Sequence, residues 1–171
     1  MTDLNTFEEL IAHIENIASC ERVFGSGSAL IQFGTQFHAQ IDSSTRLPRG
    51  KAKACYANAT ACALSRSDLY YVEGYGIDPR FPIPFEHAWL VDSSGSVLDP
   101  TWTNAEDHLY FGVAFKRDFL ASMFKRSNGV CGLLSNWSLM RKHYGTPELL
   151  QAGLVQMSQF APQAVKSPEL T

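Results

Sequence analysis

A chain of 171 residues and 19.0 kDa, 45% of it hydrophobic, has the length and apolar content of one domain with a buried core, which excludes an intrinsically disordered chain. With 14 Lys and Arg against 17 Asp and Glu, the net charge is −3 and the pI ≈ 5.9, so no global charge draws it to nucleic acid. No apolar run approaches the ~20 residues needed to cross a bilayer, the acidic, polar start MTDLNTFEEL does not read as a secretory signal, and four scattered cysteines do not make a disulfide scaffold, so the expectation is a cytoplasmic protein with free thiols.

Thr6-Phe7-Glu8-Glu9 reads as a capping box, and Phe7, Leu10, Ile11, Ile14, Ile17 and Ala18 recur at helical spacing, predicting an amphipathic helix over 7–20. Between Phe24 and Gln40, Gly25–Ser28 reads as a loop, and Ala29–Phe33 leaves strand and helix open. Ser43–Lys53 is a polar loop carrying Arg46, Arg49, Lys51 and Lys53. It leads into an Ala-rich segment, 54–64, that is helical by propensity. Strands are predicted over 69–75 and 85–91, with Pro79, Pro82 and Pro84 marking an irregular connection between them. A turn at 92–96 leads to a third strand over 97–99, and 110–115 reads as a fourth.

Helices follow near 118–125 and 136–144. Arg141-Lys142-His143 ends the latter with cations suited to a helix C-terminus. A last helix starts at Thr146-Pro147-Glu148, with Thr as N-cap and Pro at the first position, and runs to about Phe160. The order predicts one domain over 1–160 and a loose tail over 161–171. Its fold is α+β, with N-terminal helices packed on a central antiparallel sheet and further helices at the C-terminus.

Three residues stand out. Cys55 lies at the start of the Ala-rich helix, where the partial positive charge of a helix N-terminus favours a thiolate and the Cys55 amide is free to bind an oxyanion. Cys62, between Ala61 and Ala63, reads instead as a packed small hydrophobe, and Cys20 and Cys131 carry no signal. His87 shares a strand face with Phe85, Trp89 and Val91. Alone it reads as a core histidine, and its weight comes from a partner. A three-residue hairpin loop Ser93-Ser94-Gly95, with Gly95 left-handed, pairs Asp92 with Ser96, Val91 with Val97 and Trp89 with Asp99. Asp99 then lies on the face of His87 and diagonal to it, within reach of an Asp–His hydrogen bond. A loop one residue longer or shorter sends Asp99 to the opposite face. A thiol facing a histidine that an aspartate orients is the general form of an activated cysteine nucleophile.

Cys at a helix N-terminus, then His87-Ala88-Trp89, then Asp99-Pro100-Thr101-Trp102 resembles the transglutaminase-like superfamily of papain-like cysteine enzymes. The resemblance covers about 54–102, and Tyr56 follows the cysteine where that group often has Trp or Arg. It implies a papain-like, transglutaminase-like fold, Cys55 as nucleophile, His87 as general base and acid, and Asp99 as the group that orients it. It also implies thioester chemistry on an amide or ester without metal or cofactor, as in a protease, amidase or deamidase. The substrate is then a protein, a peptide or a small amide, with neither nucleic acid nor membrane as partner. A non-catalytic module binding a peptide or ligand on the same fold is the alternative, and a small zinc protein using Cys55, Cys62, Cys131, His87 and His108 is a weaker one. Candidates for a further oxyanion or substrate contact are Gln40, Asn58 and Trp102, with Gln36 and Tyr56 beside them, each of which also reads as ordinary surface polarity or packing.

Overall fold

The computed structural model describes residues 4–40 and 47–160. Helix α1 is Leu4–Cys20 and α2 is Ser26–Phe33. Strand β1, Thr35–Phe37, leads to α3, Cys55–Ser65, and then to β2, Tyr70–Asp78, and β3, Phe81–Val91. After β4, Val97–Leu98, and β5, Leu109–Phe115, come α4, Arg117–Arg126, α5, Trp137–His143, and α6, Pro147–Gly153.

The five strands pair antiparallel in the order β1-β5-β2-β3-β4, and a parallel bridge joins His38, after β1, to Ser96, before β4. Alternation of side chains divides it into two faces. Glu73, Tyr71, Ala88, Leu90, Val113 and Phe115 face one way and pack with the helices, which contribute Leu10, Ile14, Leu30, Ala59, Leu120 and Met140 to that core. His87, Trp89, Val91, Val72, Tyr110 and Ala114 face the other way, over a smaller core closed by Phe37, Val97, Val155 and Phe160.

Several expectations change. Helix α1 begins at Leu4, so Thr6 lies inside it and the predicted capping box is not at its end; Asn5 Nδ2 donates to Glu9 Oε1 at 3.1 Å, one turn along. The Gly-Ser stretch opens a helix because Glu21 caps it from outside, accepting from the Gly27 amide at 2.8 Å, the Ser28 amide at 2.9 Å and the Ser28 hydroxyl at 2.6 Å. The proline-rich connection is a tight hairpin instead, and β3 reaches back to Phe81. The register shift between Gly76 and Asp78 places extra β3 residues there, where β4 does not pair and prolines break no ladder. Helix α6 keeps its Thr146 cap, with Oγ1 accepting from the Leu149 amide at 3.3 Å, but it ends at Gly153. Beyond it the chain pairs with β5: Lys116 N donates to Gly153 O, and Val155 N to Ala114 O, both at 2.9 Å. Arg46 and the tail over 161–171 lie outside the described residues.

The β3–β4 hairpin has the predicted register. Val91 pairs with Val97 and Leu90 with Leu98, Asp92 N donates to Ser96 O at 3.1 Å, and Gly95 takes φ +79°, where a side chain would be strained. Strand β4 ends at Leu98, one residue before Asp99, and leaves the edge of β3 open beside His87.

Candidate active site

Helix α3 starts at Cys55 with no side-chain cap, and its first internal bond runs from Asn58 N to Ala54 O at 2.9 Å. The amides of Cys55, Tyr56 and Ala57 are therefore free of helical partners. Lys53 takes φ +60°, a left-handed conformation that turns the chain two residues before the thiol. The other end of α3 is held by Arg117, whose guanidinium donates to the carbonyls of Ala63 and Leu64.

Asn58 binds the start of α3 to the Asp99 segment. Its Oδ1 accepts from Lys51 N at 3.1 Å, and its Nδ2 donates to Lys51 O at 2.8 Å and to Thr101 Oγ1 at 2.9 Å. Gly50 N donates to Pro100 O at 2.8 Å, and Arg49 Nη1 to Thr101 O at 3.4 Å. Both amide hydrogens of Asn58 are spent on this bracket, so it is a fastener for the loop and not a donor to an oxyanion.

His87 Nε2 lies 2.7 Å from Asp99 Oδ2, with both side chains almost fully buried. The remaining lone pairs of Asp99 are used: Oδ2 accepts from Tyr110 Oη–H at 2.9 Å, and Oδ1 accepts from the amides of Thr101 and Trp102 at 2.7 and 2.9 Å. Burial raises the Asp99 carboxyl, but the His87 bond and charge and the two amides outweigh it and hold it below the ordinary carboxylate range. An ionised carboxylate only accepts, so His87 Nε2 carries the hydrogen. Burial likewise favours the neutral His87 ring, and Asp99 and then Cys55 outweigh it, leaving the ring raised to about 8. Burial and the Asp99 charge push the Tyr110 hydroxyl well above its ordinary value, so it stays a donor.

Trp102 lies flat on the His87 ring, with centroids 3.8 Å apart and planes 11° apart. Gly76 makes room for it: a Cβ there would come within 2.6 Å of the indole. The structure thus assigns Trp102 to the wall over the imidazole. Gln40 sits beside the β3–β4 turn, its backbone N–H donating to Ser96 Oγ at 3.3 Å, and Gln36, on β1, pairs with Phe111 of β5. Tyr56 turns its hydroxyl into the protein, where it is buried without a hydrogen-bond partner among the described residues. Cys62 is half-buried against the helical core, and its burial raises the thiol.

Two groups escaped the sequence reading. Tyr110 reaches Asp99 only because β5 inserts between β1 and β2. Glu73, on β2, is buried and accepts from Leu133 N at 2.6 Å, Ser135 N at 2.7 Å and Tyr71 Oη–H at 2.8 Å. Its signal was present: one carboxylate inside an otherwise apolar strand.

A groove of about 430 Å³ lies between the α1–α2 connection and the segment before α5, lined among others by Val23, Glu86, Leu134 and Trp137. Its inner lining of Ser26, Glu86, Leu134 and Ser135 also borders a narrow void walled by Tyr56. The groove therefore ends beside the residues adjoining Cys55 and His87 in the chain. All four cysteines are free. Among the described residues no three His, Cys, Asp or Glu side chains group as metal ligands, and no helix is long and apolar enough to cross a membrane.

Searches against protein-family models, curated proteins and solved structures find no match to this chain.

Proposed function

We propose that the protein is a cysteine-nucleophile acyl-transfer enzyme of papain-like, transglutaminase-like type, acting on an amide or ester bond as a protease, amidase or deamidase. The observation that carries this reading is the buried His87–Asp99 pair, whose carboxylate accepts from three further donors, with Cys55, at the uncapped start of α3, among the groups that raise the His87 ring. With Nε2 committed to Asp99, Nδ1 is the nitrogen available to the thiol.

In the first step the Cys55 sulfur attacks the substrate carbonyl carbon while His87 holds the thiol proton. The carbonyl oxygen gathers negative charge and meets the free amides at the start of α3. Collapse breaks the bond to the leaving nitrogen or oxygen, which departs with the proton from His87, and a thioester remains on Cys55. Water then attacks the thioester, His87 accepts its proton, and the carbonyl–sulfur bond breaks, releasing the acid product and regenerating the Cys55 thiolate.

The test is acylation by p-nitrophenyl acetate, read by intact and peptide mass spectrometry. One acetyl group per chain is expected on Cys55, with none there in Cys55→Ala and less in His87→Ala. Acetyl spread evenly over Cys20, Cys62 and Cys131, or absent from Cys55, overturns the proposal in favour of a binding module.

A further inference from the structure

Beyond the His87–Trp102 stack lies a second histidine that the chemistry above does not use. The side chain of His108 is 3% exposed. Its ring lies 4.9 Å from Trp102 between centroids and 31° from parallel. Trp102 thus has two imidazole neighbours, and Trp89 lies 6.0 Å and 18° from His87.

His108 is anchored on one side only. Its Nδ1 lies 2.7 Å from the Asn104 carbonyl, which fixes that nitrogen as the donor. Nε2 is buried, has no hydrogen-bond partner among the described residues, and stands 3.6 Å from Asp78 Oδ2. Asp78 is already engaged by Arg80, whose Nη2 donates to Oδ2 at 2.6 Å. A buried polar atom left without a partner has a cost; here it accompanies a ring whose flat face is turned to Trp102. Asn104 supplies the carbonyl from a left-handed backbone, φ +55°, which Asn tolerates better than most residues.

We infer that His108 is a positioning residue, bracing Trp102 so that the indole stays flat against His87. The inference rests on the reading of His87 as general base. A flat indole excludes water from one face of the imidazole and favours its charged form. Without the His108 ring, the indole loses an aromatic neighbour 4.9 Å away. The charged and titratable groups around the row are Asp99, Cys55 and Tyr110 at His87, and Asp78, Arg80 and the neighbouring Glu106 and Asp107 at His108.

Two variants separate the ring from its hydrogen bond. His108→Asn keeps a donor near the Nδ1 position and removes the aromatic face; His108→Phe keeps the face and removes the donor. The readouts are the NMR titration of the His87 ring and the iodoacetamide rate of Cys55, with the fold checked by the amide spectrum. His108→Asn is expected to lower the His87 titration by about half a unit to one unit and slow Cys55 about three- to tenfold, while His108→Phe stays within about twofold of wild type. Equal behaviour of the two variants, whether both like wild type or both impaired, overturns the inference. The reading of the site fails in a different way: His87→Ala then leaves the Cys55 rate unchanged, while the His87 titration still reports on the brace.

Discussion

Asp99→Ala is expected to cost more at this site than any other single change, in fold and in reactivity together. The carboxylate accepts from His87, Tyr110 and the amides of Thr101 and Trp102, and its side chain is fully buried. Alanine leaves these donors without an acceptor, at about 1–3 kcal/mol for each one that stays buried and unpaired. Breaking a buried charged pair costs about 3–5 kcal/mol, so urea unfolding should show a loss of at least about 3 kcal/mol. His87 also loses the group that fixes its protonated nitrogen, and acylation of Cys55 should fall at least about a hundredfold. A variant as stable and as reactive as wild type would remove Asp99 from the account.

The same pair sets a pH window for stability. Asp99 is held below its ordinary 3.8, so its contribution is present above that pH and lost as pH falls through the folded-state value. His87 is raised from 6.5 to about 8, so its contribution is fully present below 6.5 and lost as pH rises through about 8. From well below pH 6.5 to well above pH 8 the whole loss on the histidine side is on the order of 2 kcal/mol, and His87→Ala should abolish it.

Glu73 carries the second large effect. It is fully buried and receives two backbone amides and the Tyr71 hydroxyl, and through Leu133 and Ser135 it ties down the segment before α5. Tyr144 holds the same segment, donating to Leu133 O at 2.8 Å. Glu73→Ala leaves the donors empty and opens a void, so a loss of about 3 kcal/mol or more is expected. Glu73→Gln fills the space but turns its NH2 toward one amide, and an intermediate loss of about 1–3 kcal/mol is expected. Burial raises the Glu73 carboxyl above its ordinary 4.5 despite those donors, so the folded state holds its proton longer than the unfolded chain does. Stability from this group therefore falls as pH rises from 4.5 through the folded-state value, a trend that Glu73→Gln should lack. Leu134 and Ser135 line the groove, so amide exchange in 132–136 should quicken in both variants.

How legible the chain was depended on the range of each determinant. The Gly95 turn is local, braced by Asp92 Oδ1 accepting from the Ser94 and Ser96 amides, and its register brings Asp99 to the face of His87. Thr146-Pro147 is local too, and Thr146 caps α6 as its sequence predicts; Asn136 caps α5 without having been singled out, its Oδ1 accepting from Leu139 N at 3.1 Å. The start of α2 depends on Glu21, five residues upstream of its first residue, and the end of α6 on β5, about 40 residues away. Neither influence belongs to the segment it shapes. The placement of β5 between β1 and β2 is a long-range pairing, and it decided that Tyr110 meets Asp99. Asn58 and Trp102 were marked by position, but their tasks came from partners on other segments: Thr101 for one, His87 for the other.

The central claim is that His87 makes Cys55 a nucleophile, and pH-resolved alkylation by iodoacetamide with peptide mass spectrometry tests it most directly. The exposed Cys20 is the reference thiol in the same molecule. Below pH 7, Cys55 is expected to react at least about tenfold faster than Cys20, and His87→Ala should erase the difference. A Cys55 no faster than Cys20, or one indifferent to His87→Ala, would contradict the account.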